Sequence, residues 1–144
     1  MWFCVFRRPW QSTDLGELLS LTEGLAKRTA ANKEVRLDIR LPKHPVTVHT
    51  SPFYLMNLIW LCLDELMQFP GKDKSVALGC EKASEGAVMW MRADWAEGDV
   101  GEVEKSKTIE DVAQRLNARM HTDREQNTIR VLLSKDKTAA DPTV

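Results

Sequence analysis

Asn57, Asp64 and Gln68 are polar side chains set in the most apolar stretch of the chain, SPFYLMNLIWLCLDELMQF. At about 100° per residue, Asp64 and Gln68 fall within roughly 20° of Asn57 on a helix. Such a line must face a pocket or a polar neighbour, because Phe53, Leu55, Leu58, Ile59, Leu63 and Leu66 make the rest of the circumference apolar. Leu61 interrupts the line where a fourth polar residue would be expected. Other chemistry is sparse. His44, His49 and His121 are scattered and give no zinc pattern. No nucleophile–base pair has recognisable spacing. Cys4, Cys62 and Cys80 are an odd set without CxxC spacing, which reads as reduced thiols in a cytosolic protein.

The elements that must position this line follow from composition and period. A length of 144 residues suits one domain with a real core. Its 20 basic and 21 acidic residues are intermixed, for a formal charge of −1. That leaves no basic excess for nucleic acid and no polybasic block for an anionic membrane. MWFCVFRR carries its apolar run before its charges and is too short for a signal peptide. The central apolar helix is too short and too polar to span a bilayer. A cytoplasmic protein without membrane insertion is expected.

Residues 1–11 are apolar and aromatic, and read either as the end of a longer helix or as a segment packed on the domain. Ser12, Thr13 or Asp14 can cap a helix in which Leu15, Leu18, Leu19, Leu21, Thr22, Leu25 and Ala26 recur at helical spacing, with Asn32 as its stop. Val35, Leu37, Ile39 and Leu41 then alternate with Glu34, Arg36, Asp38 and Arg40, which predicts a half-buried strand ended by Pro42. Val46 to Val48 offers a short edge strand. Ser51 and Pro52 start the central helix. Residues 76–93 read as a hairpin turning at Ser84-Glu85-Gly86. Asp94 to Lys107 reads as a loop, and Ile109, Val112, Ala113, Leu116 and Met120 as an amphipathic helix. Ile129, Val131 and Leu133 mark a last strand, and residues 135–144 a disordered tail. The expected architecture is an α/β (α+β) two-layer sandwich, a mixed sheet covered on one face by three helices, over residues 12–134.

This order resembles the ATP-binding domain of sensor histidine kinases, the Bergerat-type fold of GHKL ATPases. Asp14-Leu-Gly-Glu-Leu-Leu is similar to the family's opening helix, and Val35 to Pro42 to its first long strand. Asn57-Leu-Ile-Trp-Leu-Cys-Leu-Asp-Glu-Leu resembles the N-box helix, N-L-x-x-N-A. Phe6-Arg-Arg-Pro is similar to the junction after the kinase dimerisation hairpin, which implies dimer formation through the N-terminal segment. The resemblance implies ATP and Mg²⁺ as cofactors, yet each nucleotide element departs from pattern. Leu61 replaces the asparagine that supplies a Mg²⁺ oxygen, and a hard cation takes nothing from Leu. Asp64, about one turn on, offers an oxygen on the same face.

Where the family's D-x-G-x-G aspartate reads adenine, strand alternation places Ala93. Asp94 comes one residue late, which turns it to the opposite face. Trp95 stands at a glycine position. Ser106-Lys-Thr-Ile-Glu replaces the Gly-rich motif before the last long helix. The segment Leu63-Asp-Glu-Leu-Met-Gln-Phe-Pro-Gly is also similar to the pseudo-ATPase domain of bacterial histidine phosphotransferases, which helps dock a response regulator.

Two readings follow. The first is a degenerate kinase-like domain without catalytic residues, docking a response regulator or a kinase hairpin domain in two-component signalling. Trp95, on its charged loop, is then the candidate exposed contact with Trp10, while Trp60 and Trp90 read as core. The second is a divergent ATP- and Mg²⁺-binding domain using Asn57, Asp64 and Asp94, which needs Asp94 to face the pocket.

Overall fold

Asp14 is where the chain turns from strand into helix. Its Oδ1 accepts from the backbone N–H groups of Gly16 at 2.9 Å and Glu17 at 3.2 Å, satisfying donors the first turn leaves free. The computed structural model describes residues 10–95 and 100–134. The expectations for the start of the N-terminal segment and for the disordered tail lie outside those residues. Within them, strand β1 (Gln11–Asp14) precedes helix α1 (Leu15–Asn32). The sequence puts Gln11 in the N-terminal segment and gives Ser12, Thr13 and Asp14 only a capping role. QSTD has no apolar alternation to mark it as a strand. What holds it is antiparallel pairing with β3 (Thr47–Thr50), which starts one residue later and ends two residues later than the edge strand expected.

Helix α1 buries Leu15, Leu18, Leu19, Thr22, Ala26 and Ala30. Thr22 satisfies its hydroxyl on the Leu18 carbonyl at 2.8 Å. Leu21 and Leu25, expected in the apolar stripe, are 59% and 67% exposed. They lie on the flank of the stripe that neither the sheet nor the next helix reaches. Strand β2 (Val35–Arg40) stops before Leu41, which is 58% exposed. Pro42 follows, and without an N–H it cannot continue the ladder.

Helix α2 (Pro52–Met67) begins as its sequence dictates. Ser51 Oγ accepts from the Tyr54 N–H at 3.3 Å, and Pro52 takes the first turn. Leu55, Leu58, Ile59, Cys62, Leu63, Leu66 and Met67 are buried, each stabilising the fold by about 1.5–3 kcal/mol for the larger aliphatic chains. The helix closes on a cation, since Lys74 Nζ donates to the carbonyls of Met67 and Phe69, both at 3.0 Å.

The hairpin forms as read, β4 (Lys74–Ala83) against β5 (Gly86–Ala93) around Ser84 and Glu85, with Gly86 at φ 138°. The expected loop after Ala93 contains a one-turn helix α3 (Gly101–Glu104). Ser106 caps α4 (Lys107–Arg115) through the Ile109 N–H. The amphipathic helix was expected to run to Met120. It ends five residues sooner because Asn117, at φ 52°, breaks the helix, and Arg119–Asp123 becomes strand β6. Met120 misleads because its spacing from Leu116 is helical. Strand β7 (Thr128–Ser134) completes a five-stranded mixed sheet of order β2-β4-β5-β7-β6, parallel only between β2 and β4. Helices cover one face, where Val76, Leu78, Met89, Met91, Ile129 and Val131 are buried. The two-layer α/β architecture stands, with α3 added to the three helices expected. Among the described residues, no helix is long and apolar enough to cross a membrane.

Candidate functional site

The polar line on α2 exists as drawn from the sequence. Gln68 Nε2 donates to Asp64 Oδ2 at 3.1 Å, and Asn57, Leu61 and Asp64 are half-buried while Gln68 is exposed. Helix α4 packs beside α2, with the Arg115 guanidinium 5.8 Å from the Tyr54 ring centroid. The line thus carries one amide and one Gln-engaged carboxylate on either side of Leu61.

The end of β5 decides what joins them. Met89, Met91 and Ala93 are buried on the helix-covered face; Trp90 and Arg92 alternate onto the open face. Ala93 donates its N–H to the Asn127 carbonyl at 3.0 Å, and Asp94 donates its own to the Ser75 carbonyl at 2.8 Å. Asp94 is exposed, and its Oδ1 accepts from Arg92 Nε at 3.2 Å. Its carboxylate therefore belongs to the open face, away from α2. The fold brings Asn57 and Asp64 onto one helix line and separates both from Asp94.

Trp95 departs from expectation. Read as an exposed contact on a charged loop, it is 9% exposed. Gly71, at φ 152°, makes the room: a Cβ there would lie 2.7 Å from Trp95 Cδ1. Asn127 Nδ2 donates to the Trp95 carbonyl at 2.8 Å, and Lys74 Nζ lies 5.8 Å from the indole centroid. Among the described residues, Trp95 Nε1 is buried without an acceptor. Trp10, the other expected contact, is 8% exposed, its ring 6.0 Å from that of His49. Trp60 packs half-buried against the core. Trp90, expected in the core, is half-buried on the open face instead. Gly71, Lys74 and Asn127 escaped the sequence reading as a group. Only the Pro70-Gly71 turn left a signal, since Asn127 is 32 residues from its partner.

Both described cysteines are free and buried. Burial, then the charge of Glu65, pushes the Cys62 thiol up to about 12. Burial, followed by Asp14 and Glu81, pushes Cys80 up to about 11. Neither is a nucleophile at neutral pH. Among the described residues no three His, Cys, Asp or Glu side chains gather as a metal site.

Two positions bear on whether a Mg²⁺–nucleotide would fit. The line on α2 offers Leu61 where a hard cation needs oxygen. The position facing α2 at the end of β5 is the methyl of Ala93, and the neighbouring carboxylate is tied to Arg92 on the other side of the sheet.

No protein-family model and no curated protein matches the chain by sequence. Solved structures match it by shape. The catalytic domain of histidine kinase ThkA superposes with a TM-score of 0.73 at 8% identity, over 88% of this chain and 97% of that one. The histidine kinase AdeS of Acinetobacter baumannii gives 0.68 at 8% identity, over 89% and 68%. ThkA in complex with the response regulator TrrA gives 0.70 at 9% identity, over 88% of this chain and 42% of that one. Identities this low carry shape and not chemistry. The chain has the fold of the catalytic domains of sensor histidine kinases.

Proposed function

We propose that this chain is a degenerate histidine-kinase-like domain that docks a protein partner in cytoplasmic two-component signalling and no longer binds nucleotide. The observation that carries the reading is the Asp94 carboxylate held by Arg92 on the open face, while Ala93 takes the inward position. Leu61 on the α2 line and the buried indole of Trp95 support it from two further elements. The core is meanwhile closely filled, with Leu55, Leu58, Leu63 and Leu66 at 0% exposure. A sound core beside a dismantled ligand site fits a scaffold retained for its surface.

The partner class is a response regulator or the hairpin domain of a kinase. ThkA, which shares this fold, has been solved with a response regulator. The direct test is capture of purified receiver domains and kinase hairpins by the immobilised full chain, with and without Mg-ATP. The reading expects a partner captured equally in both conditions. Capture that requires Mg-ATP, or none from either class, contradicts it.

A further inference from the structure

Helix α1 turns one stripe to solvent. Glu17, Leu21, Gly24 and Arg28 recur at intervals of four, three and four residues, the seam spacing of paired helices. All four are exposed, as is Leu25 beside them. Leu41 and Pro42 widen the apolar side of this face, since a Cβ on Gly16 would lie 3.9 Å from Leu41 Cδ2 and 3.8 Å from Pro42 Cδ. Leu21, Leu41, Pro42 and Pro45 line an open groove of about 600 Å³ there. Gly24 sits in mid-helix, where glycine weakens the helix relative to alanine. Nothing lies within 4 Å of a Cβ built on it. Among the described residues, no contact inside the chain requires a glycine at that place.

Glu17 and Arg28 close the stripe with opposite charges. Among the described residues neither enters an ion pair. Three and four residues from Arg28 on its own helix stand Gly24, Leu25, Ala31 and Asn32, none of them an acid. Ser20 and Leu21 hold the corresponding places after Glu17. Asp14 and Lys43, opposite in sign, border the groove beside Glu17, and the Asp14 carboxylate caps the helix. Glu23 and Lys27 project about 90° or more away from the stripe.

We infer that this stripe is the contact between two copies of the chain, with their α1 helices laid antiparallel. Glu17 and Arg28 lie equally far, about 8 Å along the axis, from the point midway between Thr22 and Glu23. Leu21 and Gly24 are symmetric about the same point. Reversing one helix against the other sets Glu17 against the second copy's Arg28 and Leu21 over the second copy's Gly24. Each contact then occurs twice, as a two-fold interface requires. Gly24 lets the backbones approach and leaves the space that Leu21 fills. A parallel arrangement would set Glu17 on Glu17 and Arg28 on Arg28. With one charge of each sign at its ends, the stripe complements its own reverse, which selects a second copy over an acidic or a basic partner. The face is one helix wide, so pairing is reversible and concentration-dependent. The inference goes beyond the docking reading and does not depend on it.

The test is analytical ultracentrifugation of the full chain over a dilution series reaching millimolar. The mean mass is expected to rise from one copy toward two and to stop there. Glu17→Arg and Arg28→Glu should each weaken self-association at least tenfold, because like charges then meet. An equimolar mixture of these two variants should recover it, because every end then meets its opposite. Gly24→Gln should also weaken association at least tenfold by blocking the close approach. At dilutions where the chain is a single copy, its urea midpoint should hold or rise, since glutamine is the better helix former. That variant keeps the question open to an answer if a charge variant fails to fold. A single copy at every concentration overturns the inference, and so does association that continues past two copies, since a two-fold contact closes. Association unchanged by the three variants overturns it too, as does a mixture no stronger than either variant alone. The docking reading fails separately, when receiver domains and hairpins are not captured.

Discussion

Arg92 Nε donates to Asp94 Oδ1 across 3.2 Å, and the same guanidinium lies 5.8 Å from the Trp90 ring. Strand alternation explains the pairing, because residues two apart project from the same face. Asp94 is thereby committed to the side of the sheet opposite α2. An exposed pair of this kind contributes about 1 kcal/mol or less. Asp94→Ala should therefore leave the urea midpoint nearly unchanged. A loss of several kcal/mol would mean that the carboxylate does more than steady Arg92.

Trp95 is seated on Gly71. Gly71→Ala places a methyl against the indole and a side chain at φ 152°, so stability should fall by roughly 1–3 kcal/mol. Gly24 is the matched control, exposed on α1 with nothing within 4 Å of an added Cβ. Gly24→Ala should raise stability by about 0.5–1 kcal/mol through helix propensity. Urea unfolding of both variants checks the pair; equal shifts would deny the seat.

Cys62 and Cys80 hold their protons far above the ordinary thiol value of 9.0, at about 12 and about 11. The unfolded chain ionises these thiols first as pH rises, and folding must then re-protonate them. Their stabilising effect is complete below about pH 8 and is lost as pH climbs through 9 toward 11 and 12. The urea midpoint should drop between pH 8 and pH 10, and drop less in Cys80→Ala. A midpoint flat over that interval would contradict buried thiols. Thiol reagents at pH 8 should modify both cysteines only upon unfolding.

The sequence carried the fold because its periods are clean. Val35 to Arg40, Val76 to Cys80 and the Ser51-Pro52 start of α2 each announced an element that the structure contains. It lost β1 and β6, both made by pairing rather than by apolar pattern, and overran α4 because Met120 keeps helical spacing. Leu21 and Leu25 show the same limit: an apolar residue is legible, its neighbour across space is not. At the candidate site, the outward turn of Asp94 was legible, since alternation alone fixes it. The burial of Trp95 was not, because it depends on Gly71, Lys74 and Asn127 arriving from three separate elements.

The central claim is that this fold no longer holds nucleotide. Calorimetric titration of the purified chain with Mg-ATP, with and without excess EDTA, tests it most directly. The account predicts no heat of binding up to millimolar ATP in either condition. Binding tighter than about 1 mM, equivalent to about −4 kcal/mol, and weakened by EDTA would contradict it and return Asn57 and Asp64 to the role of ligands.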